Sequence, residues 1–340
     1  MRTAGALAVL TGTPIHLRQV RAGRSRPGLA PQHVTSLRAL AQISGGKLHG
    51  DHCGSTSVQL VPRHVPQGGT VTMDVREAAP NGSAGSMPLV FKALCWPLVM
   101  AQEPSRLVLR GGTHVAWSPT YQYVRDVFLS TTAPMGGRFR CSLEQYGFYP
   151  AGQGEMHVEI MPATAPLAPQ TMLQRGELER IEGTAAATQL PKHIPQRMKS
   201  RAEDRLTSLS VPVDIDATTS SGAGPGAGIV LTAVYKYARA GFTGLGEPGK
   251  PAETVADDAV DALHAHHTHG APVDSYLADQ LLLPMALADG RSRFRATRLT
   301  SHVRTQAALI QEMVDVSIEL DAAESVTNLV SVNGCGLSPS

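Results

Sequence analysis

The chain has 340 residues, of which 42% are hydrophobic, and its formal net charge is +2. This length and composition exclude wholesale disorder and supply enough apolar side chains for two packed domains. The near-neutral charge argues against a protein that coats nucleic acid non-specifically. Because no apolar stretch reaches the roughly 20 residues that a bilayer requires, we expect no membrane partner.

The four cysteines lie far apart and form no CxxC pair: Cys53, Cys95, Cys141 and Cys335. This spacing favours neither a zinc site nor a disulfide scaffold, and free thiols are typical of a reducing compartment. We therefore predict a cytoplasmic protein. The apolar run Ala4–Leu10 is short and lacks a clear cleavage site, so we interpret it as a helix rather than a secretion signal.

Three stretches of the chain share one order of predicted elements, in which a helix is followed by a strand, a loop and a second helix. The first contains the helix Ala4–Leu10, the strand Ile15–Val20 and a helix from Pro31. The second contains the helix Leu89–Met100, the strand Arg106–Leu109 and a helix near Pro119. The third contains the helix Tyr276–Ala288, capped by Asp274 and Ser275, the strand Arg293–Ala296 and a helix near Ser301.

This order predicts an α/β (α+β) fold made of repeated units. The spacing leaves an insert of about a hundred residues before the third unit, which assigns 1–169 and 273–340 to a large domain and 170–272 to an insert domain. Within the insert we predict the loop Thr218–Gly228, the strand Ile229–Ala240 and the helix Ala252–His264. The first unit has no strand before Arg2, so either its opening strand is lost or the start lies inside the gene.

A basic loop followed by a helix start is the first candidate site, formed by Arg18, Arg21, Arg24, Arg26, Gln32 and His33. Arginine forks match phosphate oxygens in pairs, and the free N–H groups of a helix start favour an anion. The alternative is a solvated basic loop. The glycine-rich stretch Gly82–Ser86, which also precedes a helix, is a second candidate anion site or an ordinary helix start.

Two further motifs are less specific indicators of a functional site. Gly244–Lys250 has the spacing of a Walker A loop, but Pro251 stands where a Ser or Thr should meet Mg²⁺, so we reject a nucleotide-binding P-loop. The histidines His264, His266, His267 and His269 resemble a metal cluster. Because they face different sides of a helix and have no firm carboxylate partner, a frayed, solvated helix end is the favoured interpretation.

A polar stripe marks the predicted helix of the third unit, where Tyr276, Asp279 and Gln280 recur at helical spacing among apolar residues. Burying a carboxylate and an amide is costly unless they are paired, so the stripe indicates either a ligand site or an internal hydrogen-bond network. His302 lies at a later helix start. Taken alone, a histidine at a helix start is more often a cap or a surface residue than a catalytic one.

The chain resembles the RNA 3′-terminal phosphate cyclase family over nearly its whole length. The resemblance is carried by RAGRSRPGLAPQH (Arg21–His33), GSAGS (Gly82–Ser86), GGT (Gly111–Thr113), GFYPAG (Gly147–Gly152), YLADQLLLPMAL (Tyr276–Leu287), and His302 with Thr305. It implies three repeats of a two-helix, four-stranded unit with a smaller α/β insert.

The resemblance also implies a ligase-type reaction that requires ATP and Mg²⁺ or Mn²⁺. A histidine attacks the α-phosphate of ATP, and the AMP then passes to an RNA 3′-phosphate. The adjacent 2′-hydroxyl closes a 2′,3′-cyclic phosphate and expels AMP. The expected partners are therefore ATP and RNA that ends in a 3′-phosphate, and RNA processing is the expected role.

Position by position, His302 matches the histidine that carries AMP. The ATP-binding segment is matched by Tyr276, Leu277, Ala278, Asp279 and Gln280. The residues that match the loop near phosphates or the RNA end are Arg21, Arg24, Gln32 and His33. The metal ligands are not identified.

The sequence departs from the family pattern at four places. The glycine-rich opening with its acidic residue is absent before Arg2, and Lys92 stands where the family has a nucleotide-contacting glutamine. Gln122 replaces an aspartate and Gln153 interrupts a run of glycines. Lys92 can meet a phosphate but cannot accept a hydrogen bond, so we include it among the ATP-binding residues.

Two other functions remain open. One is a catalytically impaired, cyclase-like RNA-binding protein involved in RNA processing, which is expected to lack the histidine and the ATP segment. The other is a repeat-built transferase of the enolpyruvyl type. The presence of His302 and of Tyr276–Gln280 favours the active cyclase.

Overall fold

A computed structural model of the chain describes residues 1–79, 82–321 and 328–339. The helices are α1 (Arg2–Thr11), α2 (Pro31–Ile43), α3 (Met87–Val99), α4 (Ser130–Thr132), α5 (His193–Leu206), α6 (Ala252–His269), α7 (Leu277–Leu287) and α8 (Ser301–Met313). A π-helix, Tyr123–Leu129, leads into α4. The mixed helix and sheet content confirms the predicted fold class.

The strands form four sheets within the described ranges. They are β1 (Ile15–Leu17), β2 (Lys47–His49), β3 (Val58–Val61), β4 (Gly69–Asp74), β5 (Ser105–Gly111), β6 (Arg138–Gln145), β7 (Gly154–Met161), β8 (Thr171–Met172), β9 (Leu178–Thr188), β10 (Val213–Ser220), β11 (Gly226–Tyr235), β12 (Arg239–Leu245), β13 (Arg291–Ala296), β14 (Ser317–Asp321) and β15 (Asn328–Asn333).

The chain divides into two compact units. The first comprises Met1–Pro119, Gly136–Pro166 and Ser338–Ser340, and the second comprises Thr120–Met135 and Leu167–Leu337. The division into repeats and an insert stays a prediction, and its residues 80–81, 322–327 and 340 lie outside the described part of the chain.

The first unit contains the sheets β1-β3-β2 and β4-β5-β7-β6, packed with α1, α2 and α3. Helix α3 is apolar apart from Lys92, and the rings of Phe91 and Trp96 are buried at its centre. Phe139 of β6 meets both rings edge to face, with ring centroids 6.1 Å apart in each pair. A helix that is apolar all round must lie in the core, so α3 anchors the helical layer of this unit.

The second unit contains the sheets β10-β9-β11-β12 and β14-β15-β13-β8. Helices α5 and α6 pack on the first of these sheets and share with it a core that includes Met198, Ile229 and Val260. Helices α7 and α8 pack on the second sheet. That sheet has the same strand arrangement as β4-β5-β7-β6, a parallel pair followed by two antiparallel strands.

Two predicted strands were wrong in extent. The strand predicted over Ile15–Val20 ends at Leu17 because Gln19 and Arg21 have positive φ angles of 52° and 54°, which a strand does not allow. The strand predicted over Ile229–Ala240 is two antiparallel strands, β11 and β12. Their turn is closed by the N–H of Tyr235, which donates to the carbonyl of Ala238 at 2.9 Å.

The physical reason for the second error is the composition of that turn. Lys236 and Tyr237 occupy it, and neither belongs to the residue types that mark turns. The predicted loop Thr218–Gly228 is also shorter, since β10 continues to Ser220 and β11 begins at Gly226.

The prediction of a frayed, solvated histidine-rich helix end was wrong. Helix α6 continues to His269 and ends at Gly270 in a left-handed conformation. His266 is 95% buried against Phe242 (relative exposure 5%). The Arg175 guanidinium donates to the carbonyls of His266 and His267 at 3.2 and 2.6 Å, so a cation from another segment satisfies the last turn.

The Walker-like stretch serves structural roles. The Lys250 ammonium pairs with Asp258 and donates to the carbonyl of Leu245. A Cβ added at Gly244 would lie 1.9 Å from the carbonyl oxygen of Val255, so the glycine allows β12 and α6 to approach closely. No described helix is long and apolar enough to cross a membrane.

This close approach generates a stability prediction. We expect Gly244→Ala to lower the free energy of unfolding by about 1–3 kcal/mol, because the added methyl group must displace backbone. Urea unfolding followed by circular dichroism measures the change. Gly23→Ala is the matched control, since nothing lies within 4 Å of that site. Equal stability of the two variants would contradict the packing role of Gly244.

Candidate functional site

The start of α7 is held by a buried carboxylate, Asp274, which is 3% exposed. Its oxygens accept hydrogen bonds from the backbone N–H groups of Tyr276 (2.8 Å) and Leu277 (2.9 Å). They also accept from the Tyr123 hydroxyl at 2.8 Å and from the N–H of Gly241 at 3.4 Å. Asp274 is therefore the helix cap that the sequence predicted, and it also joins three chain segments.

Burial and hydrogen bonding shift the pKa of Asp274, the partner of Tyr123, in opposite directions. Burial raises the pKa of Asp274, and the hydrogen bonds to its oxygens offset part of that effect. Burial and the neighbouring Asp274 raise the pKa of Tyr123 well above its usual value. The phenol consequently keeps its proton and remains a donor, which keeps the carboxylate satisfied inside the protein.

The predicted polar stripe runs from the core to solvent. Tyr276 is 70% exposed, Asp279 is partly buried and Gln280 is buried. The side-chain amide of Gln280 donates to the carbonyl of Tyr276 at 2.6 Å, while its oxygen is buried without a partner among the described residues. Leu277 and Ala278 have buried apolar side chains. Their N–H groups donate to Asp274, so neither residue offers a free polar group to a nucleotide.

Helix α8 begins at the cap residue Thr300, whose hydroxyl accepts from the N–H of Val303 at 3.4 Å. His302 is exposed in the first turn, while Val303 is buried. One turn further, the Gln306 amide donates to the Asp279 carboxylate at 2.5 Å. Residues four apart share one helix face, so this bond joins the predicted ATP segment to the face of α8 that carries His302.

Hydrogen bonds within the basic loop of the first unit hold it in a compact turn. The Arg21 guanidinium donates to the carbonyl of Gly28 at 3.0 Å, and the N–H of Arg24 donates to the carbonyl of Arg21 at 3.0 Å. Arg24 is exposed and Arg21 is partly buried. Arg21 is therefore anchored within the loop, whereas the side chain of Arg24 extends into solvent.

His33 lies in the first turn of α2, where its Nδ1 accepts a hydrogen bond from the N–H of Ala30 at 3.0 Å. Burial, reinforced by the positive charges of Arg2 and Arg21, lowers the pKa of His33 to about 4. His33 is therefore neutral at physiological pH, and the positive charge at this helix start comes from the arginines. Sequence reasoning did not identify Arg2, which lies outside the predicted loop.

Three glycine-rich stretches converge in the first unit. The N–H of Gly112 donates to the carbonyl of Gly85, and the N–H of Met87 donates to the carbonyl of Gly112, each at 2.9 Å. A Cβ added at Gly152 would lie 2.8 Å from the carbonyl oxygen of Ser83. The motifs GSAGS, GGT and GFYPAG, which are distant in sequence, therefore meet at the start of α3.

The start of α2 also borders these glycine-rich stretches. A Cβ added at Gly85 would lie 3.2 Å from the side-chain oxygen of Gln32, so the start of α2 borders the GSAGS loop. Lys92 is partly buried on α3, one and a half turns after that loop. The predicted residues thus fall into two clusters, a phosphate cluster (Arg21, Arg24, Gln32 and His33) in the first unit and a histidine cluster (Tyr276, Asp279, Gln280 and His302) in the second. Lys92 lies on α3 of the first unit.

Sequence reasoning missed Tyr123 and Gln306. Tyr123 is 151 positions from its partner Asp274, and Gln306 is 27 positions from Asp279. No local pattern connects such pairs. The one available signal was the helical spacing of Gln306 from His302, which places the two side chains on one face.

Comparison with known proteins adds an independent finding. A family model described as RNA 3′-terminal phosphate cyclase matches residues 1–320. A protein of that name from Trichormus variabilis is 42% identical over 331 residues, covering 97% of this chain and 95% of the relative. Proteins of the same name from Methylococcus capsulatus and Pyrobaculum neutrophilum are 41% and 35% identical, covering 98% and 99% of this chain and 92% and 95% of each relative.

The environment of His33 predicts a pH effect on stability. Its pKa is lowered from 6.5 to about 4 on folding, so the unfolded chain binds the proton first as pH falls. The stabilising contribution is therefore present above pH 6.5 and is lost as pH falls towards 4. After allowance for partial exposure, we expect a loss of about 1–2 kcal/mol from this group.

Urea unfolding between pH 7 and pH 4 measures this effect. His33→Asn keeps an acceptor for the N–H of Ala30 but does not titrate, so its stability should fall less steeply than that of the wild type. His193→Asn, at an exposed histidine, is the matched control. The same pH dependence in His33→Asn and the wild type would contradict the assignment.

Proposed function

Because the chain belongs to the RNA 3′-terminal phosphate cyclase family, we propose that it converts an RNA 3′-terminal phosphate to a 2′,3′-cyclic phosphate at the expense of ATP. AMP attached to His302 is the proposed intermediate. The observation that supports this most directly is the bond between Asp279 and Gln306, which joins the predicted ATP segment to the helix of His302.

His302 suits the role of nucleophile. It is exposed in the first turn of a 13-residue helix, so an incoming phosphate can reach its ring. The N–H groups and the dipole of a helix start favour negative charge there. A neutral imidazole nitrogen attacks the α-phosphorus of ATP, the new N–P bond forms, and pyrophosphate leaves.

Two further steps complete the proposed reaction. An oxygen of the RNA 3′-phosphate attacks the same phosphorus and releases the histidine, giving an RNA adenylate. The 2′-hydroxyl then attacks the terminal RNA phosphorus, loses its proton, and expels AMP. Activation turns a poor leaving group into AMP, and the neighbouring hydroxyl benefits from a high effective concentration.

The histidine cluster offers groups that suit a nucleotide. The exposed ring of Tyr276 can stack on a base. Gln280 is buried, and its amide donates to the carbonyl of Tyr276, so it is proposed to hold the segment that carries this ring. Asp279 is oriented by Gln306. Leu277 and Ala278 are proposed to contribute by packing, since their side chains are buried and hold the segment in place.

The phosphate cluster is proposed to receive the RNA end and ATP phosphate oxygens. Arg21 and Arg24 supply positive charge for these oxygens. His33 is neutral at working pH because of its lowered pKa, so its proposed role is hydrogen bonding. Lys92 replaces a glutamine of the family and is proposed to meet a phosphate.

The family resemblance implies a divalent metal ion, which needs suitable side chains or phosphate oxygens as ligands. The described residues include no group of three or more His, Cys, Asp or Glu side chains that could hold a metal. We therefore assign no protein ligand to the ion and derive no step through it. Mg²⁺ or Mn²⁺ is proposed to enter with ATP, since Mg²⁺ is commonly held by substrate phosphates and water.

The central prediction concerns the covalent intermediate. Incubation with α-labelled ATP and Mg²⁺ or Mn²⁺ should label the wild type, and mass spectrometry should locate AMP on His302. His302→Ala should reduce the label to background. His193→Ala, which removes an exposed histidine in the first turn of α5, should retain it. An unlabelled wild type, or equal label on His302→Ala, would refute the mechanism.

A second prediction concerns the nucleotide. We expect Tyr276→Ala to raise the KM for ATP about three- to tenfold through lost stacking, while Tyr276→Phe stays close to the wild type. Steady-state cyclisation of a 3′-phosphorylated oligonucleotide at varied ATP measures both. An equal KM for Tyr276→Ala and Tyr276→Phe would show that the ring does not contact the base.

A further inference from the structure

Two aromatic rings of the first unit are exposed to solvent and have no role in the proposed steps. Trp117 is wholly exposed and Tyr149 is 75% exposed. Trp117 also has a φ angle of 62°, which a bulky residue rarely adopts and which is more frequent at binding sites. Single exposed apolar side chains are common on proteins, so the question is whether these two rings lie together.

The two loops that carry these rings are held side by side. His114 and Phe148 form a β-bridge, and their ring centroids are 5.2 Å apart. The N–H of His114 donates to the carbonyl of Gly147 at 3.0 Å. Trp117 follows His114 by three residues, and Tyr149 follows Phe148 directly. Since three residues span at most about 11 Å, the Cα atoms of Trp117 and Tyr149 lie within about 20 Å of each other. A short stretch of single-stranded RNA spans such a distance.

The same loops border the phosphate cluster. The N–H of Gly112 donates to the carbonyl of Gly85 at 2.9 Å, and a Cβ added at Gly85 would lie 3.2 Å from the side-chain oxygen of Gln32. The loop of Tyr149 also meets this stretch, because a Cβ added at Gly152 would lie 2.8 Å from the carbonyl oxygen of Ser83. The exposed rings and the phosphate cluster therefore belong to one compact unit and are connected through the glycine-rich loops.

The chemistry of the two rings suits a nucleic-acid base. Neither the Trp117 nor the Tyr149 side chain makes a hydrogen bond or a ring contact within the described part of the chain, so both rings are free to stack. Proteins hold single-stranded RNA by stacking its bases on aromatic side chains beside positive charge that contacts its phosphates. Arg21 and Arg24 of the phosphate cluster supply that charge.

We propose that Trp117 and Tyr149 stack on unpaired bases of the RNA strand that leads to the terminal phosphate. The phosphate cluster receives the end itself, and the two rings hold the strand before it. Because every base has an aromatic face, the site accepts all four bases but requires that they be unpaired. This inference rests on the proposed cyclase function and adds to it a preference for single-stranded RNA ends.

Intrinsic fluorescence reports on this site directly. The chain has two tryptophans, and Trp96 is buried, so a change in emission on adding RNA arises from Trp117. A single strand that ends in a 3′-phosphate, added without ATP so that no reaction occurs, should quench the emission of the wild type. Unchanged emission, equal quenching by AMP at the same concentration, or quenching that persists in Trp117→Phe would overturn the inference.

Fluorescence anisotropy separates base stacking from recognition of the end. The wild type should bind a strand with natural bases at least about tenfold more tightly than one with abasic residues before the same 3′-phosphate. Trp117→Ala and Tyr149→Ala should each weaken binding of the natural strand about tenfold, and the double variant should bind the two strands alike. Tyr237→Ala, at an exposed ring on the turn between β11 and β12, is the matched control and should bind as the wild type does.

Equal affinity of the wild type for the natural and abasic strands would overturn the inference, and this comparison does not depend on the folding of any variant. Wild-type affinity in both single alanine variants would also overturn it. Cyclisation of a 3′-phosphorylated RNA by the wild type is measured separately. A wild type that cyclises RNA but binds both strands alike would refute only the stacking site, and one that distinguishes the strands without cyclising RNA would refute only the proposed function.

Discussion

The Asp274 carboxylate is buried, and its oxygens accept hydrogen bonds from three different segments: Tyr123, Gly241, and the backbone at the start of α7. Burying a charged group is costly unless hydrogen bonds satisfy its oxygens, and removing one donor would leave a buried oxygen with fewer partners. The arrangement therefore fixes the first turn of α7. Tyr276 and Asp279 extend from that turn, and Asp279 in turn meets Gln306 on α8. The geometry of the histidine cluster depends on this one carboxylate.

The phosphate cluster is built differently, from backbone rather than from a buried charge. Gly85, Gly112 and Gly152 lie where a side chain would strike the main chain or a neighbouring residue, so three loops can approach closely. At the start of α3 the N–H of Met87 donates to the carbonyl of Gly112, so the glycine contacts hold the loops together. The burial of His33 keeps it neutral and leaves the charge to Arg21 and Arg24. The two clusters are thus held in place in different ways. The hydrogen-bonded carboxylate of Asp274 fixes the histidine cluster, and close glycine contacts hold the loops beside the phosphate cluster.

Sequence patterns predicted helices well where apolar periodicity and caps agreed. Helices α1, α2, α7 and α8 begin within one or two residues of their expected starts. Pro31 and Asp274 mark the starts of α2 and α7 through local chemistry. The errors fell where local signals were missing. The turn after Tyr235 contains no turn-forming residue, and the last turn of α6 is stabilised by Arg175, which comes from a segment 91 positions earlier.

The sequence by itself determined the fold class, the candidate residues and, through its motifs, the resemblance to the cyclases, because these depend on residue identity and on spacing along the chain. Only the tertiary structure decided which candidates meet. It joined Asp279 to Gln306, buried Leu277 and Ala278, and lowered the pKa of His33. Each of these outcomes depends on segments that pack together from distant parts of the chain, and burial and electrostatic interactions act through space rather than along the sequence.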